Sequence, residues 1–187
     1  MENIFFDKSK LKYCGKNVII GKTVRIRYPE LVEIGDNSIL DDFMYISASL
    51  KIGKYVHISA GCHIIGGRDS YVEMDDFSSL APNVVLAAGS GDYTNGLITA
   101  CVPLETRGSV DIGKIYIGRH SVIGANSVVL PNVTFGEGSA MGALSLASKN
   151  LEPWTLYAGN PIKKIRSRNK DEIMRLEQIL IDKFSGK

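Results

Sequence analysis

Residues 34–64 read IGDNSILDDFMYISASLKIGKYVHISAGCHI, and their aliphatic side chains recur at a step of six: Ile34, Leu40, Ile46, Ile52, Ile58 and Ile64. A helix repeats every 3.6 residues and a half-exposed strand every two, so this step belongs to neither. It fits a short strand followed by a turn, with one apolar side chain turned inward per segment and Gly or Asn where the backbone needs positive φ. The step resumes after an insertion at Met74, Leu80 and Leu86, and after a longer one at Ile117, Ile123, Val129, Phe135, Met141 and Ala147. A weaker preface stands at Ile20, Ile26 and Val32, and a column of mostly small residues follows the late anchors at Ser121, Ser127, Val133, Ser139 and Ser145. Three such segments close one triangular coil, and stacked coils make a solenoid. A sandwich of short strands spaces its turns by about 8–12 residues and does not hold a fixed step of six.

The rest of the chain is consistent with one such unit. Its 187 residues suffice for one domain with a real core, and 44% hydrophobic against 22% charged residues excludes wholesale disorder. Lys and Arg number 22 and Asp and Glu 20, a net charge of +2 that falls short of a nucleic-acid binder's basic excess. There is no run of about 18 apolar residues, so no membrane insertion is expected. The start, MENIFFDKSK, lacks a basic region followed by an apolar one, so a cytoplasmic protein is expected. Cys14, Cys62 and Cys101 are odd in number and far apart, which suggests neither a disulfide framework nor a CxxC metal or redox site. Buried thiols are expected.

Two insertions, at about 66–73 and 87–116, interrupt the coils, and insertions in a solenoid often form binding loops on one side. The solenoid is expected over residues 1–166 and a helical tail over 167–187. In the tail, Asn169 is placed to cap a helix from Lys170 to Phe184, whose apolar stripe is Ile173, Leu176, Ile179, Leu180 and Phe184.

The stretch Ile117–Arg166, IGRHSVIGANSVVLPNVTFGEGSAMGALSLASKNLEPWTLYAGNPIKKIR, together with LAPNVVL at Leu80–Leu86, resembles the hexapeptide-repeat acyltransferases. It is similar to both the galactoside and maltose O-acetyltransferases and the nucleotide-amino-sugar N-acetyltransferases. The resemblance implies a mainly β fold, a left-handed parallel β-helix with a long loop insertion and a C-terminal α-helix. It also implies acetyl-CoA as co-substrate, no metal, and a homotrimer with its sites between subunits. The activity implied is acetyl transfer to an amino or hydroxyl group of a small-molecule sugar, for surface polysaccharide synthesis. Ala125, Ala143, Ser148 and Lys149 match the family's cofactor-contacting positions, and Lys163 and Arg166 match basic positions near the nucleotide end.

Laying the coils over one another stacks Ala60, Pro82, Ala125 and Ala143 at one corner, where small residues let a thin ligand approach. Histidine is the natural general base for an acceptor near neutral pH, and there are three: His57, His63 and His120. His57 precedes the inward Ile58 and so faces outward beside that corner. His63 is better placed to touch an acceptor, and His120 reads as a turn residue. The O-acetyltransferases carry a catalytic His in the loop after the APNV segment, whereas here that loop reads AAGSGDYTNG. Either His57 takes the role, or Asp92 acts as base or orients an amine, or no strong base is used. The absent histidine favours an amine acceptor, which attacks unaided when neutral, with Asp92 and Tyr93 binding the sugar. A backbone N–H at Asn83 or Ala125 is a candidate for the oxyanion. The rival readings are a simple glycoside O-acetyltransferase, a non-catalytic solenoid scaffold, and a gamma-class carbonic anhydrase with three zinc-binding histidines. The last is disfavoured because His57 and His63 lie on different faces and His120 at a corner.

Overall fold

A computed structural model describes residues 6–184. Its short strands form three stacked sheets, the faces of a triangular solenoid. The first face holds Tyr13–Cys14, Val32–Ile34, Ser49–Ile52, Tyr71–Met74, Lys114–Ile117 and Thr134–Phe135. The second holds Ile19–Ile20, Ile39–Leu40, His57–Ile58, Ser79–Leu80, Val122–Ile123, Ala140–Met141, Thr155–Ala158 and Lys163–Ser167. The third holds Arg25–Ile26, Tyr45–Ile46, His63–Ile65, Val85–Ala87, Val128–Val129 and Leu146–Ala147. Neighbours within these faces are parallel, except that Lys163–Ser167 runs back antiparallel along Thr155–Ala158 at the end of the stack.

The step of six is what sets this register. Leu40, Ile58, Leu80, Ile123 and Met141 lie directly over one another, and every anchor from Ile34 to Ala147 is buried. In the preface Ile20 and Val32 are buried and Ile26 partly so. The first face adds a second inward column, Val32, Leu50, Val72 and Ile115. Its strands there are longer, so alternation turns two side chains inward instead of one.

Serines fill the small-residue column because a hydroxyl there can satisfy the next coil's backbone. The Ser121 Oγ donates to the Gly136 carbonyl and the Ser127 Oγ to the Gly142 carbonyl, both at 3.1 Å. Buried hydroxyls are tolerated when so paired. Gly124 is required by the closeness of the coils: a Cβ there would sit 2.4 Å from the Ala143 nitrogen.

Both insertions are shorter than the sequence reading makes them. Tyr71–Met74 and Lys114–Ile117 are paired first-face strands with Val72 and Ile115 inside, so the loops narrow to about 66–70 and 88–113. The longer loop begins with an antiparallel ribbon, Gly89–Gly91 against Val110–Ile112.

The corner between the first and second faces carries left-handed residues three positions before each inward second-face residue, Tyr157 included: Asn17, Asn37, Tyr55, Phe77, His120, Gly138 and Trp154. Bulky side chains pay for positive φ, and here they recover it by stacking. Tyr55 and Phe77 lie 5.1 Å apart, Phe77 and His120 5.2 Å, and His120 and Trp154 6.0 Å between centroids. His120 is thus a turn residue, as expected, but a buried one.

The helix Lys170–Phe184 docks on this corner. Asn169 caps it, its Oδ1 accepting from the Glu172 N–H at 3.2 Å. The apolar stripe contributes less than expected: Ile173, Ile179 and Leu180 are half-buried, while Leu176 is 52% exposed. The side chain of Phe184 lies outside the described residues. The helix is held instead by Glu177, whose carboxylate takes the Arg119 guanidinium and, at 2.9 Å, the His120 Nε2.

The thiols also depart from expectation. Cys62 alone is buried, Cys14 is half-buried, and Cys101 is exposed because it falls in the long loop. Burial pushes the Cys62 thiol up to about 11, which lowers its thiolate population near pH 8 by about 10²-fold against an ordinary thiol. A thiol-reactive dye should therefore label Cys101 first and Cys62 only after denaturation, as read by peptide mass spectrometry. Labelling of Cys62 in the native protein would contradict the packing described.

Candidate active site

Hydrogen bonds between coils place Ala60 under Pro82 and Asn83, Pro82 under Ala125 and Asn126, and Ala125 under Ala143 and Leu144. The small-residue corner between the second and third faces is therefore continuous. Among the described residues the N–H groups of Ala60, Ala125 and Ala143 have no hydrogen-bond partner, and Pro82 has none to offer. The Asn83 N–H is spent on the Ala60 carbonyl at 3.1 Å, which leaves Ala125 as the candidate oxyanion donor of the two. Lys163 lies opposite Ala158, beyond Ala143 along the same edge.

Arg166 is opposite Leu156 on the outer side of the second face. There it lines a cavity of about 450 Å³ with Ala140, Leu156, Ser167, Arg168 and Asn169. His57 projects from the same outer side, below Ser79, Val122 and Ala140 in register. Its Nε2 lies 2.8 Å from the Asp41 Oδ2. Asp41 stands two residues past Ile39, which lies directly under His57, and the pairing emerges only when the two coils are stacked.

The remaining candidates lie elsewhere. His63 projects from the third face between Tyr45 and Val85, its Nδ1–H donating to the Gly61 carbonyl at 2.8 Å, which leaves Nε2 as acceptor. Asp92 and Tyr93 belong to the long loop, which leaves the corner between the third and first faces. Ser148 and Lys149, exposed, follow the last third-face strand and reach that corner two coils higher. They are thus separated by the width of the third face from Ala125 and Ala143. Tyr93 is 82% exposed.

The Asp92 carboxylate is hydrogen-bonded within its own loop. It accepts from the Thr94 hydroxyl at 2.7 Å, the Thr94 N–H at 2.9 Å, the Asn95 N–H and Nδ2 at 3.2 Å each, and the Ser109 hydroxyl at 3.3 Å. The Thr94 hydroxyl and N–H, foremost among these, hold its carboxyl far below the usual carboxylate range. Such a group is a fixed anion near neutral pH and a poor proton acceptor. Among the described residues no group of three or more His, Cys, Asp or Glu is arranged to hold a metal. No helix among them is long and apolar enough to cross a membrane.

A parallel β-solenoid with an outward histidine, a corner of free N–H groups and basic residues beyond it belongs to the class of the hexapeptide-repeat acyltransferases. No protein-family model matches the chain. It is 30% identical to the dTDP-4-amino-4,6-dideoxy-D-glucose acyltransferase of Escherichia coli over 182 residues, 96% of this chain and 93% of that one. AntD, an N-acyltransferase from Bacillus cereus solved with dTDP and 3-hydroxybutyryl-CoA, superposes with a TM-score of 0.90 at 34% identity, covering 98% of this chain and all of AntD. A maltose O-acetyltransferase from Clostridium difficile, at 21% identity and a TM-score of 0.59 over 87% of this chain and 73% of that one, shares the fold alone. The chain belongs to the family of the dTDP-amino-sugar acyltransferases and is an acyltransferase.

Proposed function

We propose that this enzyme transfers an acetyl group from acetyl-CoA to the amine of a nucleotide-linked amino sugar, for surface polysaccharide synthesis in the cytoplasm. The observation that carries this is the full-length likeness to the E. coli enzyme and to AntD, a variant of which was solved with dTDP-4-amino-4,6-dideoxyglucose and coenzyme A. The loop after LAPNVVL agrees with it, since it has no histidine and its Asp92 is a fixed anion suited to an amine. Transferred acyl groups longer than acetyl are compatible with the same likeness, because AntD was solved with 3-hydroxybutyryl-CoA.

In this reading the thioester arm lies along the corner of Ala125 and Ala143, its nucleotide end toward Lys163 and Arg166. The acceptor amine attacks the thioester carbonyl, His57 takes the proton, and the Ala125 N–H faces the developing oxyanion. Asp92, Tyr93 and His63 hold the sugar. In one chain His57 looks out from the second face, His63 from the third, and the Asp92 loop leaves the corner beyond the third, so a second copy is needed to bring them to one substrate. The loop's exposed apolar residues, Tyr93, Leu97, Ile98, Val110 and Ile112, suit contact with that copy. We therefore propose a homotrimer with sites between subunits, with Ser148 and Lys149 meeting the neighbour's coenzyme A. Light scattering at micromolar concentration should give three chains per particle, and a monomer would overturn it.

The substrate class is tested by turnover on a panel: dTDP-4-amino-4,6-dideoxyglucose and other amino-sugar nucleotides beside galactosides and maltose, with labelled acetyl-CoA. Label should enter the amino-sugar nucleotides, and label entering only the glycosides would contradict the proposal. Lys163→Ala and Arg166→Ala should each weaken coenzyme A binding by about 1 kcal/mol, because both side chains are exposed. Calorimetry at low salt that finds the double variant unchanged would place the nucleotide end elsewhere.

A further inference from the structure

Asp41 and His57 meet because the solenoid stacks their strands one coil apart. Ile39 lies under His57 and Leu40 under Ile58, and the Asp41 N–H donates to the Ile58 carbonyl at 2.9 Å. Alternation turns Asp41 outward, like Ile39 two residues earlier. Its Oδ2 then reaches the His57 Nε2 at 2.8 Å, and among the described residues neither side chain has another hydrogen-bond partner. The next residue, Asp42, carries the local structural duty, accepting from the Thr23 N–H at 2.8 Å and the Thr23 hydroxyl at 2.9 Å. With side chains 50% and 43% exposed, the Asp41 and His57 pair adds little to folding.

A carboxylate only accepts, so the ring hydrogen facing Asp41 is on Nε2 and the lone pair is on Nδ1. We propose that Asp41 is a positioning residue for acyl transfer: it holds His57 in the Nε2–H tautomer and makes Nδ1 the atom that receives the acceptor's proton. This rests on His57 being the base. As the amine nitrogen bonds to the thioester carbonyl carbon, its proton passes to Nδ1, and the imidazolium is steadied by the Asp41 charge. The carbon–sulfur bond then breaks with its electron pair on sulfur, and Nδ1 returns the proton to give the free thiol and the amide.

Asp41→Asn is the discriminating variant, because its amide can donate to Nε2 and so favours the opposite tautomer. Nitrogen NMR of ¹⁵N-histidine-labelled protein, with the His57 signals assigned by their loss in His57→Asn, should show Nε2 protonated in the wild type and Nδ1 protonated in Asp41→Asn. The variant's kcat should fall at least tenfold, bounded by the roughly 10² to 10⁴-fold worth of the base itself. Its KM for acyl-CoA and acceptor should stay near wild type, and Asp41→Glu should recover part of the rate. In a His57→Asn background, Asp41→Asn should change nothing further. If His57→Asn is slow and Asp41→Asn is as fast as wild type, or acts equally without His57, the positioning role is overturned while the base stands. If His57→Asn is as fast as wild type, the base itself is wrong and the positioning role falls with it.

Discussion

His57→Asn is expected to lower kcat by roughly 10² to 10⁴-fold with little change in coenzyme A affinity. The side chain stands on the outer side of the second face, while its neighbour Ile58 supplies the core contact, so the substitution removes a proton acceptor and leaves the coil intact. The effect belongs in kcat because the proposed proton transfer occurs only as the new bond forms. Steady-state turnover with calorimetry of coenzyme A binding separates the two quantities. A variant as fast as wild type would mean that the amine attacks without this base. Asp92→Asn should act mainly on acceptor KM, since Asp92 is a fixed anion and not a proton acceptor.

The largest expected loss of stability comes from Phe135→Ala. Phe135 is fully buried, pairs with Ile117 in register and bridges to Leu151 near the end of the stack. Truncating a buried Phe costs about 3–5 kcal/mol, a large part of the 5–15 kcal/mol that holds a typical domain together. In a solenoid each coil leans only on its neighbours, so the damage should begin in the coils around Phe135. Denaturant titration should show the midpoint falling and hydrogen exchange should quicken there first. A loss below about 1 kcal/mol would contradict the packing of that coil.

The solenoid was legible because its core is one-dimensional: each inward position repeats at a fixed offset, so Ile34, Leu40 and Ile46 already define the three faces. The corner of Ala60, Pro82, Ala125 and Ala143 followed from the same arithmetic, and the ladder bonds place those residues there. What the step of six hides is whatever depends on two coils at once. Asp41 is sixteen residues before His57 and becomes its partner only through stacking. Glu177 sits inside an apolar stripe and gains its meaning from Arg119 and His120 on a distant corner. His57 stands on the second face and Asp92 in a loop that leaves the corner between the third and first faces, so spacing within one chain does not show whether they share a site.

The most direct test of acyl transfer to nitrogen is the chemical stability of the bond formed. The enzyme is supplied with radiolabelled acetyl-CoA and dTDP-4-amino-4,6-dideoxyglucose, and the labelled nucleotide is isolated and treated with mild alkaline hydroxylamine. An amide at the sugar nitrogen keeps its label. Release of the label would identify an ester and contradict amine acylation.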